Sequence, residues 1–152
     1  MFWYFRYGIH AYVWRLAHNQ NITVGLKQFR IPDGPYEWRD NGPNNFTMFA
    51  LSDDPGDVFI TLLWTDNNEA LVKVYEKDMC SHVNCEVNHD VLNVQGHEVR
   101  IVTIFRLLDN QKLVKVFYLP ARNKLLIDVD GVENAIRRRQ PAINDLLGQA
   151  VQ

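Results

Sequence analysis

Leu71-Val72-Lys73-Val74-Tyr75 recurs almost unchanged 42 residues later as Leu113-Val114-Lys115-Val116-Phe117. Each copy follows a polar, asparagine-containing turn, and each turn follows an apolar run. An apolar strand, a short polar turn and a second apolar strand are typical of a β-hairpin. The sequence therefore predicts the same hairpin twice, first over residues 57–77 and again over residues 98–119. Val72, Val74, Val114 and Val116 are expected to be buried, with Lys73 and Lys115 exposed or along a sheet edge.

The second hairpin continues into a third strand and forms a meander. The predicted strands are 98–107, 112–119 and 124–129, and the polar stretch 77–97 is interpreted as the loop between the hairpins. In the first of these strands, one face holds Val99, Ile101, Thr103, Phe105 and Leu107. The opposite face has Val102 and Ile104 in its middle, so we expect another element to cover that part.

Helical signals follow the meander. Asp130 is placed to cap one helix, and Pro141 suits the first turn of another. The apolar residues at helical spacing are Val132, Ile136, Ile143, Leu146 and Leu147. The predicted fold is α+β, a mostly antiparallel β-sheet built from repeated hairpins and a meander, with C-terminal helices packed on one face.

The chain has the size of one domain, with 152 residues of which 47% are hydrophobic. We divide this single domain (1–152) into an aromatic N-terminal segment (1–30), a long acidic loop (31–57), the hairpins (57–130) and C-terminal helices (131–152). The loop holds four of the six prolines and three of the eight glycines, which predicts little regular structure beyond a short strand at 46–51. A connection of this length usually has a function.

Aromatic residues crowd the N-terminus. Apolar residues at alternate positions favour a strand at 2–7, whereas 9–18 fits either a strand or a short helix. The helical stripe would hold Phe5, Ile9, Tyr12, Val13 and Leu16. Residues 22–30 are predicted to form a further strand. One strand can turn only one face to its own core, so we expect another chain to cover the remaining aromatics.

The acidic loop is a second candidate surface for a partner. Eight acidic residues and one arginine between positions 33 and 69 give a formal charge of −7, against −2 for the whole chain. Such a patch suits a basic partner, although aspartate also favours turns. The residues assigned to partner binding are Trp3, Tyr4, Tyr7, Tyr36, Trp38, Asp53, Asp54 and Asp57.

Cys80, His82, Cys85 and His89 are the densest group of metal-capable side chains. Two thiolates and two imidazoles suit a tetrahedral zinc ion. The spacing is unusual, however, because zinc ligands generally come as two pairs separated by a longer excursion. The alternative is a polar loop in which the two thiols are free or bonded to each other. We therefore expect no cofactor, and zinc is the one candidate metal.

Two short motifs suggest chemistry but lack its context. Residues 125–132 read LLIDVDGV and resemble the first motif of haloacid-dehalogenase-type phosphatases, where an apolar strand delivers two catalytic carboxylates. That family places the motif on its first strand, whereas only 20 residues follow it here, so we expect Asp128 to face solvent instead. The three arginines at 137–139 are interpreted as a solvated helix end, not a nucleic-acid site.

These observations favour a non-catalytic protein that binds another protein or assembles with itself. Viral or phage structural and accessory proteins and inhibitor or immunity proteins are often small domains of this kind. The alternative is a small-ligand-binding β-barrel-like protein, or an enzyme on such a fold. A third hypothesis is a zinc-stabilised nucleic-acid accessory protein. We expect no enzyme activity, no membrane partner, no nucleic-acid partner and no signal peptide, and a location in the cytoplasm or a virion.

Overall fold

The computed structural model describes residues 9, 12–34, 36–40, 42, 44–50, 58–107, 112–121 and 124–152. Helix α1 covers residues 12–17, and Ile9 is also helical. The remaining elements are β1 (Asn21–Val24), β2 (Lys27–Arg30), β3 (Tyr36–Asp40), β4 (Asn45–Ala50), β5 (Val58–Trp64), α2 (Asn68–Cys80), β6 (Cys85–Val94), β7 (His97–Arg106), β8 (Lys112–Tyr118), β9 (Leu125–Val132), α3 (Glu133–Arg138) and α4 (Gln140–Val151).

Seven strands form one antiparallel sheet in the order β3-β4-β5-β9-β8-β7-β6, and β1 and β2 form a separate two-stranded sheet. The meander β7-β8-β9 lies where the sequence predicts it, and β4 matches the predicted short strand at 46–51. The α+β fold with an antiparallel sheet is thereby confirmed. Among the described residues, β3 and β6 are the edge strands of the large sheet.

One face of the sheet packs against α3, α4 and the β1–β2 hairpin, and we call it the C-terminal face. Its core includes Val99, Leu113, Ile127 and Val129 from the central strands. The predicted apolar residues Ile136, Ile143, Leu146 and Leu147 are buried there, whereas Val132 is only partly buried. Pro141 lies in the first turn of α4 as predicted. Asp130 does not cap a helix, because β9 continues to Val132 and Val132 itself is the N-terminal cap residue of α3.

The opposite face of the sheet packs against α2, and we call it the α2 face. Val102 and Ile104 are buried there against Val72 and Leu71 of the helix, so the expectation that another element covers this face is confirmed. Asn68 fixes the start of α2, because its buried side-chain amide donates hydrogen bonds to the carbonyl oxygens of Leu119 and Leu125 at 3.2 and 3.0 Å.

The prediction of a repeated hairpin is wrong, because the first copy of the pentapeptide lies inside α2. The side chain of Asn67 accepts a hydrogen bond from the Ala70 backbone N–H at 3.1 Å and caps the helix. On a helix Val72 and Val74 point in different directions, so Val72 is buried while Val74 is 50% exposed. In the strand copy Val114 and Val116 are both buried, as predicted, and Lys115 is partly buried.

Three stretches that were predicted to be loops or single strands contribute to hairpins instead. Most of the polar stretch 77–97 belongs to the last turns of α2 and to β6, which pairs with β7 over its full length. Part of the acidic loop 31–57 is the hairpin of β3 and β4. Residues 22–30 form two strands joined at Gly25 and Leu26. Gly25 has a φ of +58°, and a side chain there would collide with the Trp64 ring.

Residues 12–17 are helical, so the choice left open for residues 9–18 is decided in favour of a helix over 12–17. The strand predicted at 2–7 lies outside the described residues. Among the described helices, none has the length and apolar content needed to cross a membrane.

Candidate functional site

Helix α1 presents an apolar stripe to solvent. Ile9, Tyr12, Val13 and Leu16 follow the spacing i, i+3, i+4, i+7, which places them on one side of a helix. They are exposed by 56, 63, 56 and 62%, respectively. Amphipathic helices of globular proteins usually turn such a stripe toward their own core. This set, which we call the α1 stripe, does the opposite.

The rest of α1 explains why the stripe faces outward, because other side chains attach the helix to the protein. The Arg15 guanidinium donates a hydrogen bond from Nη2 to the Pro32 carbonyl oxygen at 3.0 Å. Trp14 packs against the core of the C-terminal face, and its ring stacks on His18 with centroids 4.1 Å apart. With Trp14 and Arg15 turned inward, the apolar stripe is left on the other side of the helix.

The residues assigned to partner binding fall into three groups. Trp3, Tyr4, Tyr7, Asp53, Asp54 and Asp57 lie outside the described residues. Trp38 lies on β3, paired with Met48 of β4. Tyr36 is 5% exposed and packs in the core, where burial raises the pKa of its phenol and the Arg139 guanidinium lies 5.9 Å from its ring centroid. Tyr36 is therefore a core residue, which corrects its assignment to a partner surface.

The candidate zinc ligands do not converge on one point. Cys80 and Cys85 form a disulfide, with their Cα atoms 5.5 Å apart, that joins the end of α2 to the start of β6. His89 contacts Glu76 of α2 instead, with 2.8 Å between Nε2 and Oε1. Across the described residues, no group of three or more histidine, cysteine or acidic side chains is arranged to hold a metal ion. These four residues therefore do not form the zinc site that was considered, and the thiols are bonded to each other.

A carboxyl group lies partly buried on the α2 face, contrary to the expectation that Asp128 faces solvent. Tyr75 of α2 donates a hydrogen bond from its hydroxyl to Oδ2 of Asp128 at 3.3 Å. Oδ1 of Asp128 is buried and accepts no hydrogen bond within the described part of the chain. Asp130 lies two residues further along β9 and so on the same face. Thr61 of β5 is the cross-strand neighbour of Asp128.

These surroundings disfavour ionisation. Burial, followed by the charge of Asp130, raises the pKa of Asp128 to about 7, and the Tyr75 hydrogen bond opposes the rise. Burial also raises the pKa of Asp130, against the lowering effect of Arg106 and Lys112. The pKa of Tyr75 is raised by burial and by the charge of Asp128. Asp128 can therefore hold or release a proton near neutral pH, as a general acid or base does.

Sequence reasoning missed this cluster because it placed Tyr75 on a strand. As part of a helix, Tyr75 lies one turn after Leu71 and reaches across the sheet to β9. The signal available in the sequence was the Asp-Val-Asp repeat within an apolar strand, which puts two carboxylates on one face. No protein-family model matches the chain, and none of the curated proteins matches its sequence at a significant level.

Proposed function

We propose that this protein is a non-catalytic interaction module that assembles with copies of itself through the α1 stripe. The observation that carries the proposal is the exposure of four large apolar side chains, three of them on α1 and one at the helical residue Ile9. Contiguous exposed apolar patches often mark interaction sites, whereas single exposed apolar residues are common on any protein surface. The four side chains supply roughly half of the ~800 Å² that each partner buries in a standard interface.

The chemistry of the stripe favours a second copy as its partner. The four side chains of the stripe include no ionisable group apart from the Tyr12 phenol, and Arg15, the arginine within α1, is turned toward Pro32. Two copies can therefore bring their stripes together without placing like charges opposite each other. The net charge of −2 is too small to keep copies apart. Trp3, Tyr4 and Tyr7 precede this helix in sequence and extend its aromatic content.

The experiment compares the same substitution on two helices. Val13→Asp places a charge in the α1 stripe, and Val74→Asp places one on α2. The two valines are similarly exposed, Val13 by 56% and Val74 by 50%, so they are a matched pair. We expect Val13→Asp to weaken self-association by about tenfold or more, while Val74→Asp leaves it unchanged. Sedimentation velocity over a concentration series gives the mass, and thermal melting reports whether each variant is folded.

Two outcomes would contradict the proposal. One is a wild-type protein that stays monomeric at every concentration, and the other is a folded Val13→Asp variant with the mass of the wild type. A chain lacking residues 1–7 then separates the contribution of Trp3, Tyr4 and Tyr7 from that of the α1 stripe. This truncated chain should assemble more weakly than the wild type while keeping the fold of the large sheet.

The proposed location is the cytoplasm or a virion, as part of a viral or phage structural or accessory protein. The Cys80–Cys85 disulfide favours the virion, because structural disulfides are rare in cytosolic proteins and persist on particle surfaces.

A second candidate function, an enzyme or a small-ligand-binding protein, is favoured by Asp128 on the α2 face. A carboxyl whose pKa is raised to about 7 beside a tyrosine and a second carboxyl is typical of acid–base sites. NMR titration with acetamidine, whose paired N–H donors fit a carboxylate, tests for binding there through the backbone amide signals of β9. Shifts in the wild type that vanish in Asp128→Asn would support this function.

A further inference from the structure

Strand β6 forms an edge of the seven-stranded sheet and is long and regular. It pairs with β7 through ten consecutive residue pairs in a single register, without a bulge. Its sequence, CEVNHDVLNV, contains no proline, lysine or glycine. Proline, lysine and bulges usually protect an edge strand from pairing with another chain, and β6 has none of them, although it carries the charged side chains of Glu86 and Asp90. Among the described residues no strand lies beyond β6.

The backbone of β6 alternates between β7 and solvent. Just before β6, the backbone N–H of Leu107 donates to the carbonyl oxygen of Asn84 at 3.0 Å. Hydrogen-bonded pairs recur at every second residue of an antiparallel ladder, so the even-numbered residues of β6 exchange backbone hydrogen bonds with β7. The odd-numbered residues therefore point their N–H and C=O groups outward. In the middle of the strand these are Val87, His89 and Val91. Val91 is also 68% exposed, and Leu92 beside it is 39% exposed.

We propose that β6 pairs antiparallel with β6 of a second copy, with His89 opposite His89 of that copy at a two-fold axis. This surface is separate from the α1 stripe, so the proposal does not depend on that interface. Pairing joins the two sheets into one and supplies about ten interchain hydrogen bonds, two for each of the facing pairs. It is isologous, since each copy contributes the same strand.

Side-chain complementarity favours this register over the neighbouring ones that also place outward-facing residues opposite each other. With His89 at the axis, Val87 lies opposite Val91 of the second copy, which covers the most exposed apolar side chain of the strand. Asn88 then lies opposite Asp90, and an amide facing a carboxylate is favourable. Moving the axis by one residue, to position 90, sets Asp90 opposite Asp90, which is repulsive. Centring on Val91 leaves Val87 outside the paired region.

The same arguments favour a second copy over an unrelated extended peptide. Any strand could satisfy the backbone groups, but the central stretch of β6 matches itself when reversed, with Val87 and Val91 at equal distances on either side of His89. Each His89 ring also lies beside Glu76 of its own chain, 2.8 Å away. This carboxylate offsets the charge that two facing histidines would bring if protonated.

Single cysteine substitutions in the full chain test the pairing and its register under mild oxidation. In the proposed register, facing Cα atoms at position 89 lie about 5.5 Å apart, within the range for a disulfide. The two positions 90 lie about 8 Å apart on the diagonal, beyond that range. We expect His89→Cys to give a covalent dimer on a non-reducing gel and Asp90→Cys to give little or none. Peptide mapping confirms that the link joins the substituted positions and not Cys80 or Cys85.

Val91→Lys measures the same interface without a cross-link. Placed in the Val13→Asp background, where the α1 stripe is disabled, it should weaken the remaining self-association by about tenfold or more. Val74→Lys in that background is the matched control and should change nothing. A Val13→Asp protein that is already monomeric, or cross-linking from Asp90→Cys in place of His89→Cys, would overturn the proposal. Because the two interfaces are disabled by different substitutions, failure of one is distinguishable from failure of the other.

Discussion

Replacing Asp128 by asparagine should remove much of the dependence of stability on pH near neutrality. Burial and the charge of Asp130 raise the pKa of Asp128 from 3.8 to about 7. Between these two pH values the folded chain holds a proton that the unfolded chain has already released. The contribution of that proton to the free energy of unfolding is therefore fully present below about pH 4 and is lost as the pH rises through about 7.

The size of this pH-dependent change in stability follows from the difference between the folded and unfolded pKa values. One pKa unit corresponds to about 1.4 kcal/mol, so the wild type should lose roughly 2–3 kcal/mol between about pH 5 and pH 8 through this group. Asparagine cannot ionise and should lack that loss. In this variant an amide replaces the carboxyl beside Tyr75. If its N–H groups find no acceptor, the unsatisfied buried donor costs about 1–3 kcal/mol at any pH. The diagnostic quantity is therefore the change with pH, not the stability at one pH.

Urea unfolding followed by tryptophan fluorescence gives the free energy of unfolding at each pH. Asp145→Asn is the matched control, since Asp145 is an exposed carboxyl on α4. We expect the stability of Asp128→Asn relative to wild type to rise by roughly 2–3 kcal/mol between about pH 5 and pH 8, and that of Asp145→Asn to stay constant. If the Asp128→Asn difference is the same at both pH values, the carboxyl ionises normally in the folded protein and the argument from burial is wrong. Asp130→Asn should move the transition of the wild type to lower pH.

Two further predictions concern packing. Val116→Ala should lower the free energy of unfolding by about 1–3 kcal/mol because Val116 is fully buried on the α2 face. Val74→Ala should change it by less than about 0.5 kcal/mol, and chemical denaturation compares the two variants directly. A neutral Val116→Ala would mean that the strand register is assigned wrongly. Asn68→Ala should cost about 2–3 kcal/mol by leaving two buried carbonyls without their donor, against about 1 kcal/mol for the capping residue in Asn67→Ala. Equal losses in thermal melts of these two variants would mean that Asn68 acts only through the helix and not through the sheet.

The parts of the fold that could be predicted from sequence are those in which local pattern and tertiary environment agree. Strands β7, β8 and β9 alternate or run apolar between clear turns, and their positions match the prediction. Pro141 and the apolar spacing of α4 likewise fit the face that the helix covers. The partly polar second face of β7 even predicted a covering element, although not which segment supplies it.

Strand β6 and the Asp128 cluster could not be predicted in the same way. An edge strand exposes most of its side chains, so β6 has no apolar pattern to identify it and resembles a polar loop. The environment of Asp128 is created by a side chain from α2, 53 residues away in sequence. Such a contact is set by the packing of helix on sheet, and no local pattern around either residue indicates it.

The two copies of the pentapeptide show which interactions decide between helix and strand. Leu-Val-Lys-Val-aromatic alternates well enough for a strand, yet Leu71, Val72, Tyr75 and Met79 also lie on one side of a helix and pack together on the sheet. The deciding residues precede the pentapeptide: Asn67 caps the helix, and Asn68 binds it to the connection between β8 and β9. The second copy is a central strand with neighbours on both sides. Were the first copy also a strand, Val102, Ile104, Val114 and Val116 would lose the helix that covers them. The helical form of the first copy is therefore required by the burial of the second.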